Sequence, residues 1–223
     1  MFDRTISLIG EESFNKIKEK TVLIIGLGGV GGYATESLVR SGIHNLILID
    51  HDNIDITNLN RQIISTNTNI GNSKVEEFKK RILEINPECN VIVEKLFLDR
   101  TNAELLDKYK IDYIIDCCDS IDTKKLLIDY SLNKNIKLIS SMGTANKIDP
   151  TKLEIIDIRK TSYDPLAKIL RKYVYDLKSN KKIMVVSSKE MPLKKQNLST
   201  LIFVPATAGI LCANYVIKDI IEN

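Results

Sequence analysis

The chain has 223 residues, 43% of them hydrophobic and 27% charged, the profile of a globular protein long enough to bury one core without disulfides or metal ions to hold it. Ten glycines and five prolines exclude collagen-like and low-complexity classes, and a net charge of +3 is too mild by itself to announce a nucleic-acid binder. Cys89, Cys117, Cys118 and Cys212 form no Cys-x-x-Cys pair, so neither a zinc ribbon nor a disulfide framework is expected, and a reducing cytoplasm fits.

Length predicts a single domain, 1–223. No basic region followed by an apolar stretch opens the chain, so no signal peptide is read. Residues 1–20 form an N-terminal helical arm. Thr21–Gly26 is a short apolar run, as in a strand buried on both faces. A glycine turn and a helix to about Gly42 follow, then a second buried strand, Asn45–Asp50, and a polar loop, 52–72. Ser73–Asn86 carries Val75, Phe78, Ile82 and Ile85 at helical spacing, and Pro87 closes it. Val91–Val93 and Asp112–Asp116 are strands, Ile121–Lys134 is a helix, and Lys137–Ser141 a further strand. After Pro150 the pattern loosens: Leu153–Ile158 reads as an edge strand, Pro165–Leu177 as a helix, Ile183–Val186 as a strand and Pro205–Ile221 as the last helix. Leu201–Ile217, the most apolar stretch, reads as a buried strand and helix; Pro205, Thr207, Gly209 and Asn214 leave it short of the roughly 20 clean residues a bilayer span needs. Alternating strands and helices imply an α/β fold, a doubly wound, Rossmann-like, mostly parallel sheet with helices on both faces, which the C-terminal part extends.

Charge is uneven. Between Lys168 and Lys195 stand nine Lys/Arg and two acids. Such a segment suits a polyanionic partner or a solvated, lysine-rich surface, and charge alone does not choose.

Gly26, Gly28 and Gly31 satisfy G-x-G-x-x-G between a predicted strand and a predicted helix. The first permits the tight turn, the second lets phosphate approach the backbone, and the third lets helix and strand pack closely. The helix start then offers unsatisfied N–H groups to an anion. Asp50, at the end of the second strand, suits ribose hydroxyls; Asp52 reads as loop structure. These features fit NAD or ATP equally. Arg61, in Asn58–Gln62, and Lys74 tip the balance: dinucleotide pyrophosphate is held largely by backbone donors, whereas a triphosphate calls for added cations. Asp119, in Asp116–Ser120 at a strand's C-terminal end, can hold Mg²⁺ or cap the next helix. Cys117 and Cys118 read as small buried residues, and His44 and His51 as ordinary polar positions.

In order and spacing, GLGGVG, LID, NLNRQ, GNSK and DCCDS resemble the ThiF/MoeB, ubiquitin-activating-enzyme-like adenylyltransferases over nearly the whole chain. The resemblance implies an ATP–Mg²⁺ enzyme that adenylates a carboxylate, as a homodimer. It implies that Gly26, Gly28, Gly29 and Gly31 hold phosphate, that Asp50 holds ribose, and that Asn58, Arg61 and Lys74 contact phosphates. It further implies that Asp119 aligns Mg²⁺ and ATP, and that Arg4 reaches the partner subunit's ATP. Catalysis would then rest on Arg61, Lys74, Asp119 and Arg4. Sulfur-carrier activators usually add zinc-binding Cys-x-x-Cys pairs, absent here, so no structural zinc is expected. INPEC (85–89) and Gly143–Lys172, with DPTK and DPLA, instead resemble the tRNA threonylcarbamoyladenosine dehydratase (TcdA/CsdL) branch. That branch implies tRNA as partner, no membrane, and a cysteine-desulfurase or sulfur-transfer partner as a further possibility. Within it, 21–150 would be the nucleotide-binding core and 151–223 the substrate and crossover part, with the crossover at 187–200 abbreviated. Two alternatives stay open: activation of the C-terminus of a ubiquitin-like sulfur carrier, and a non-catalytic nucleotide-binding scaffold for sulfur transfer.

Overall fold

The computed structural model describes residues 1–223. Seven strands form one sheet: β1 (Thr21–Ile25), β2 (Asn45–Ile49), β3 (Asn90–Glu94), β4 (Tyr113–Asp116), β5 (Lys137–Ser141), β6 (Leu153–Asp157) and β7 (Met184–Ser188). Their order is β3-β2-β1-β4-β5-β7-β6, parallel except for β6, which pairs antiparallel with β7 at the edge. The helices are α1 (Asp3–Ile9), α2 (Glu11–Glu19), α3 (Gly31–Arg40), α4 (Lys74–Ile85), α5 (Ile121–Lys134), α6 (Pro165–Asp176) and α7 (Phe203–Glu222).

Successive residues of a strand point to opposite faces, and the core divides accordingly. Val22, Ile24, Leu46 and Leu48 join Ala34, Leu38, Phe78 and Val216 on one face, under α3, α4 and α7. Leu23, Ile25, Ile47 and Ile49 join Leu127, Leu170 and Val174 on the other, under α5 and α6. Strands apolar on both faces are what this double covering requires.

Local signals start and stop the helices. The Ser120 hydroxyl accepts the Thr123 N–H at the start of α5, and Asn135, left-handed at φ 55°, ends it. The Asp164 side chain accepts the Ala167 N–H at the start of α6, where Pro165 needs no N–H partner. The N-terminal arm is two helices. The second contributes Phe14 and Ile17 to the interior, whereas α1 buries nothing. The strand expected near Leu201 is absent: α7 starts at Phe203 and is one continuous helix of 20 residues. Pro205 falls in its first turn, where backbone N–H groups have no helical partner, so the helix starts before the proline rather than at it. By length and composition α7 is apolar enough to cross a membrane, and half of that stretch is buried within the fold, with Ala208, Cys212, Ala213, Val216 and Ile220 in the core.

Strand order reverses at β1, which has β2 on one side and β4 on the other, and Ile25 aligns with both Ile49 and Asp116. The turns after these three strands therefore open together at one edge of the sheet, the place where open parallel sheets bind ligands.

Candidate active site

The glycine turn closes on itself and on β4. Gly26 has φ +83°, and a Cβ there would stand 2.8 Å from the Cys117 carbonyl oxygen; a Cβ on Gly31 would stand 1.8 Å from that of Gly26. Only hydrogen fits at either place. No side chain caps the start of α3, which leaves its first N–H groups for an anion. Asp50, buried at the end of β2, accepts the Leu27 N–H at 2.6 Å with one carboxylate oxygen and the Asp52 N–H at 2.8 Å with the other. It braces the glycine turn and keeps lone pairs for hydroxyl donors.

These groups line a cavity of about 290 Å³ together with Gly28, Gly29, Asn58, Arg61, Lys74 and Asp119. The sequence-predicted nucleotide residues Gly26, Gly28, Gly29, Asp50, Asn58, Arg61 and Lys74 thus share one wall system, with Gly31 packed directly behind the turn. Asn58 is fixed by a capping box, its side-chain oxygen accepting the Asp55 N–H. Arg61 donates one Nη to the Thr57 carbonyl at 2.7 Å and to Asn60 Oδ1 at 2.9 Å, leaving its other guanidinium nitrogens free to grip an oxyanion. The Lys74 amine is buried and lies 2.6 Å from Asp52 Oδ2. Asp52, expected as loop structure, is therefore part of the cavity, where it holds Lys74 in place. Gln62 Oε1 is buried in the same wall without a hydrogen-bond partner, an acceptor left over for a ligand donor.

A second cavity, about 1050 Å³, continues from the first, and Arg61, Cys117, Cys118 and Asp119 belong to both. Its far walls are the turn 143–147, the start of α6 and the crossover after β7. The crossover is tied down at Asn146, which is left-handed at φ 58°. The Leu193 N–H donates to the Asn146 carbonyl, the Asn146 N–H to the Ser199 carbonyl, and the Ser199 N–H to Asn146 Oδ1. Glu190 accepts the N–H groups of Ile148 and Asp149.

Two buried ion pairs stiffen the floor. The Lys124 amine, wholly buried, donates to Asp116 Oδ2 at 3.0 Å, Ser140 Oγ at 3.1 Å and the Ser141 carbonyl at 2.9 Å, which uses all three protons. Burial alone would push this ammonium down; Asp116 beside it holds it above its usual value. Lys147 donates to the Gly143 carbonyl at 2.6 Å and to Asp164 Oδ2 at 3.1 Å. Sequence reasoning missed both lysines, because lysine reads as surface; the DPLA motif, which contains Asp164, was the available signal for the second.

The Cys117 thiol is pushed up by its hydrogen bond with the neighbouring Cys212 thiol and by burial. That of Cys118 is pushed up by burial and by the Asp116 charge. Neither is poised as a thiolate nucleophile. His51, exposed, lines the first cavity edge-on to Phe97. His44 is buried and contacts the Gly42 carbonyl.

Arg4 lies exposed on α1 and in the wall of neither cavity, so within one chain it is not brought to the site. Asp119 is exposed where the two cavities meet. A single free carboxylate there suits Mg²⁺, which takes one or two carboxylates and fills its other positions with phosphate oxygens and water.

Comparison with known proteins agrees with this geometry. The chain is 38% identical to the tRNA threonylcarbamoyladenosine dehydratase of Bacillus subtilis, an alignment covering 100% of this chain and 95% of that protein. It is 35% identical to the Escherichia coli enzyme of the same name over 95% of this chain and 78% of that one. The crystal structure of E. coli TcdA in complex with ATP superposes with a TM-score of 0.94 at 33% identity, covering 99% of this chain and 93% of that one. The ThiF family model matches residues 2–222. With the glycine turn, the cationic wall and the two joined cavities all falling within that match, the chain belongs to the ThiF family.

Proposed function

We propose that this protein is a tRNA threonylcarbamoyladenosine dehydratase, which uses ATP to adenylate the threonyl carboxylate of the modified adenosine beside the anticodon and then lets the side chain close on itself. The observation that carries the reading is the junction of two cavities at Arg61 and Asp119: a smaller one built around a phosphate-binding turn and a larger one able to take a second reactant.

In this reading ATP lies in the smaller cavity, with its ribose at Asp50 and its phosphates at the glycine turn, Asn58, Arg61 and Lys74. The substrate carboxylate enters through the larger cavity. Its oxygen attacks the α-phosphorus, a new O–P bond forms, and the bond to pyrophosphate breaks. Arg61 and Lys74 neutralise charge that grows on the phosphate oxygens. Lys74 is held by Asp52, so its amine is aimed before ATP arrives. Mg²⁺ held at Asp119 would add electrostatic stabilisation of the phosphates. The side chain's own nitrogen then attacks the acyl carbon, loses a proton and expels AMP. The net change is the loss of one water. Because this second attack is intramolecular, orientation supplies much of the rate and no enzyme nucleophile is needed; the raised thiols of Cys117 and Cys118 accord with that.

The reading takes the chain as one functional unit, with 21–150 as nucleotide core and 151–223 supplying the crossover and substrate wall. It includes a homodimer, supported by the exposed apolar side chains Leu201, Phe203 and Ile210, and a cytoplasmic location, supported by four cysteines that all remain free thiols. The test is nucleoside mass analysis of threonylcarbamoyladenosine-bearing tRNA incubated with the protein, ATP and Mg²⁺. The expected result is ATP-dependent loss of one water, abolished in Arg61→Ala and Asp119→Ala. An unchanged nucleoside with ATP binding intact would overturn the reading.

A further inference from the structure

We propose that the mouth of the larger cavity is a landing surface for a single-stranded RNA loop. Lys168 and Lys172 grip backbone phosphates on one side, Lys194 and Lys195 on the other, and Tyr163 stacks an unpaired base at the lip. The proposal rests on the dehydratase reading and adds where the tRNA lies.

The first observation is charge left without partners. Many lysines elsewhere face a carboxylate within the chain, as at Lys74, Lys80, Lys124, Lys134 and Lys137. Of the nine Lys/Arg between 168 and 195, only Lys189 does, paired with Glu154. Lys178, Lys181 and Lys182 precede β7 at the opposite end of the sheet, where Lys181 donates to Asn135 Oδ1, but Lys168, Lys172, Lys194 and Lys195 flank the opening and make a surface with a counter-ion still to find.

The second is where they stand. On α6, Ala167, Leu170 and Val174 are buried, while Pro165, Leu166 and Ile169 line the cavity. At 3.6 residues per turn, Lys172 continues the Pro165–Ile169 stripe by one turn and Lys168 flanks it, on the side away from the buried residues. Both are exposed. Across the opening, Pro192 and Leu198 line the cavity and bracket the exposed Lys194 and Lys195 in the crossover. The acids nearest in the chain form no ion pair with these lysines: Glu190 is committed to the backbone of Ile148 and Asp149, and Asp176, four residues past Lys172 on α6, makes no salt bridge to it.

The third is Tyr163. It immediately precedes Asp164 and Pro165 in the cavity wall, is 58% exposed, and is held at φ 57°. A bulky residue in the left-handed region is strained, and a ring more than half exposed recovers little of that by packing. Single-stranded RNA is read by phosphate contacts and by stacking unpaired bases on aromatic rings. Two pairs of cations with a ring beside them match that chemistry. The extended tail of a carrier protein brings one terminal carboxylate and would leave most of these charges unanswered.

The experiment is equilibrium binding of a threonylcarbamoyladenosine-bearing anticodon stem-loop by fluorescence anisotropy across a salt series, with turnover followed in parallel. Reversing either pair (K168E/K172E or K194E/K195E) should weaken binding at least about 10-fold near 0.1 M salt and flatten the salt slope by about 1 to 1.5 for each pair. ATP affinity, measured separately, should stay at the wild-type level, which shows that the variants are folded. Tyr163→Phe should bind as the wild type does. Tyr163→Gly should bind more weakly while melting at a higher temperature, a divergence that a purely structural role would not produce. Wild-type affinity and slope in both reversed pairs would overturn the proposal. If the wild type dehydrates the nucleoside and the variants bind unchanged, the surface alone is wrong. If the wild type binds the loop tightly through these lysines without dehydrating it, the surface stands and the reaction assigned above fails.

Discussion

At the scale of single residues, the glycine turn separates two roles that the motif merges. A methyl group on Gly28 would meet nothing nearer than the Gln62 side-chain nitrogen at 3.8 Å, whereas on Gly31 it would stand 1.8 Å from the Gly26 carbonyl oxygen. Gly28 lines the cavity, so the space beside it belongs to ligand, and the space beside Gly31 belongs to the fold. Gly28→Ala should therefore unfold within about 0.5 kcal/mol of the wild type yet lose most of its ATP affinity. Gly31→Ala should lose about 3 kcal/mol or more of stability, because backbone on both sides must move. Denaturant melts and nucleotide titrations of the two variants check both statements. An unstable Gly28→Ala, or a Gly31→Ala as stable as the wild type, would contradict the division.

Elements carry the next level of constraint, and α3 and α4 show how. Glu36 on α3 accepts from Arg81 Nε on α4 at 2.6 Å and from Arg40 Nε on its own helix at 2.7 Å. The bridge ties the helix that starts at the glycine turn to the helix that carries Lys74. Burial raises the Glu36 carboxyl, but the hydrogen bonds and charges of Arg81 and Arg40 outweigh it, and the group sits below its ordinary value. A lowered pKa in the folded state means stability that is present above the ordinary glutamate range and lost as pH falls through the folded value. Both arginines are partly exposed, so the contribution is screened and about 1 kcal/mol. Glu36→Gln should thus be less stable than the wild type by about that amount at pH 7, and the gap should close as pH falls below about 4. A gap independent of pH, in urea melts at the two extremes, would show that the bridge contributes through packing alone. Most elements were legible because they depend on local pattern: the apolar runs of β1 and β2, the spacing of Val75, Phe78 and Ile82, and the proline that opens α6. The start of α7 was not, since Leu201–Val204 is equally apolar as a strand or as a helix turn, and packing decides. That the glycine turn, Asp50, Asn58, Arg61 and Lys74 would gather around one cavity was legible from their motifs. The Asp116–Lys124 and Lys147–Asp164 pairs and the outline of the larger cavity were not, because they arise only when the ends of β4 and β5 and the start of α6 converge.

For the whole molecule, Arg4 is the one side chain assigned to the site by resemblance that stands apart from both cavities of its own chain. This residue lies on α1, which buries none of its residues, and it reaches neither cavity of its own chain. The sequence resemblance assigns it to the ATP of a partner subunit. If that holds, two defects placed in different subunits must complement each other. In a mixed dimer of Arg4→Ala and Asp119→Ala chains, one site lacks both groups. The other takes Arg4 from the Asp119→Ala chain and keeps the Asp119 of its own chain, and so is intact. Random mixing makes about half the dimers hybrid, each with one good site of two, so activity should return to about a quarter of the wild-type level from two preparations that are each inactive alone. If Arg4 served its own chain, every hybrid site would still lack one group and mixing would restore nothing. Co-refolding or co-expressing the two variants and measuring ATP-dependent loss of water from the tRNA nucleoside distinguishes the cases, and a mixture no more active than its components would remove Arg4 from the site.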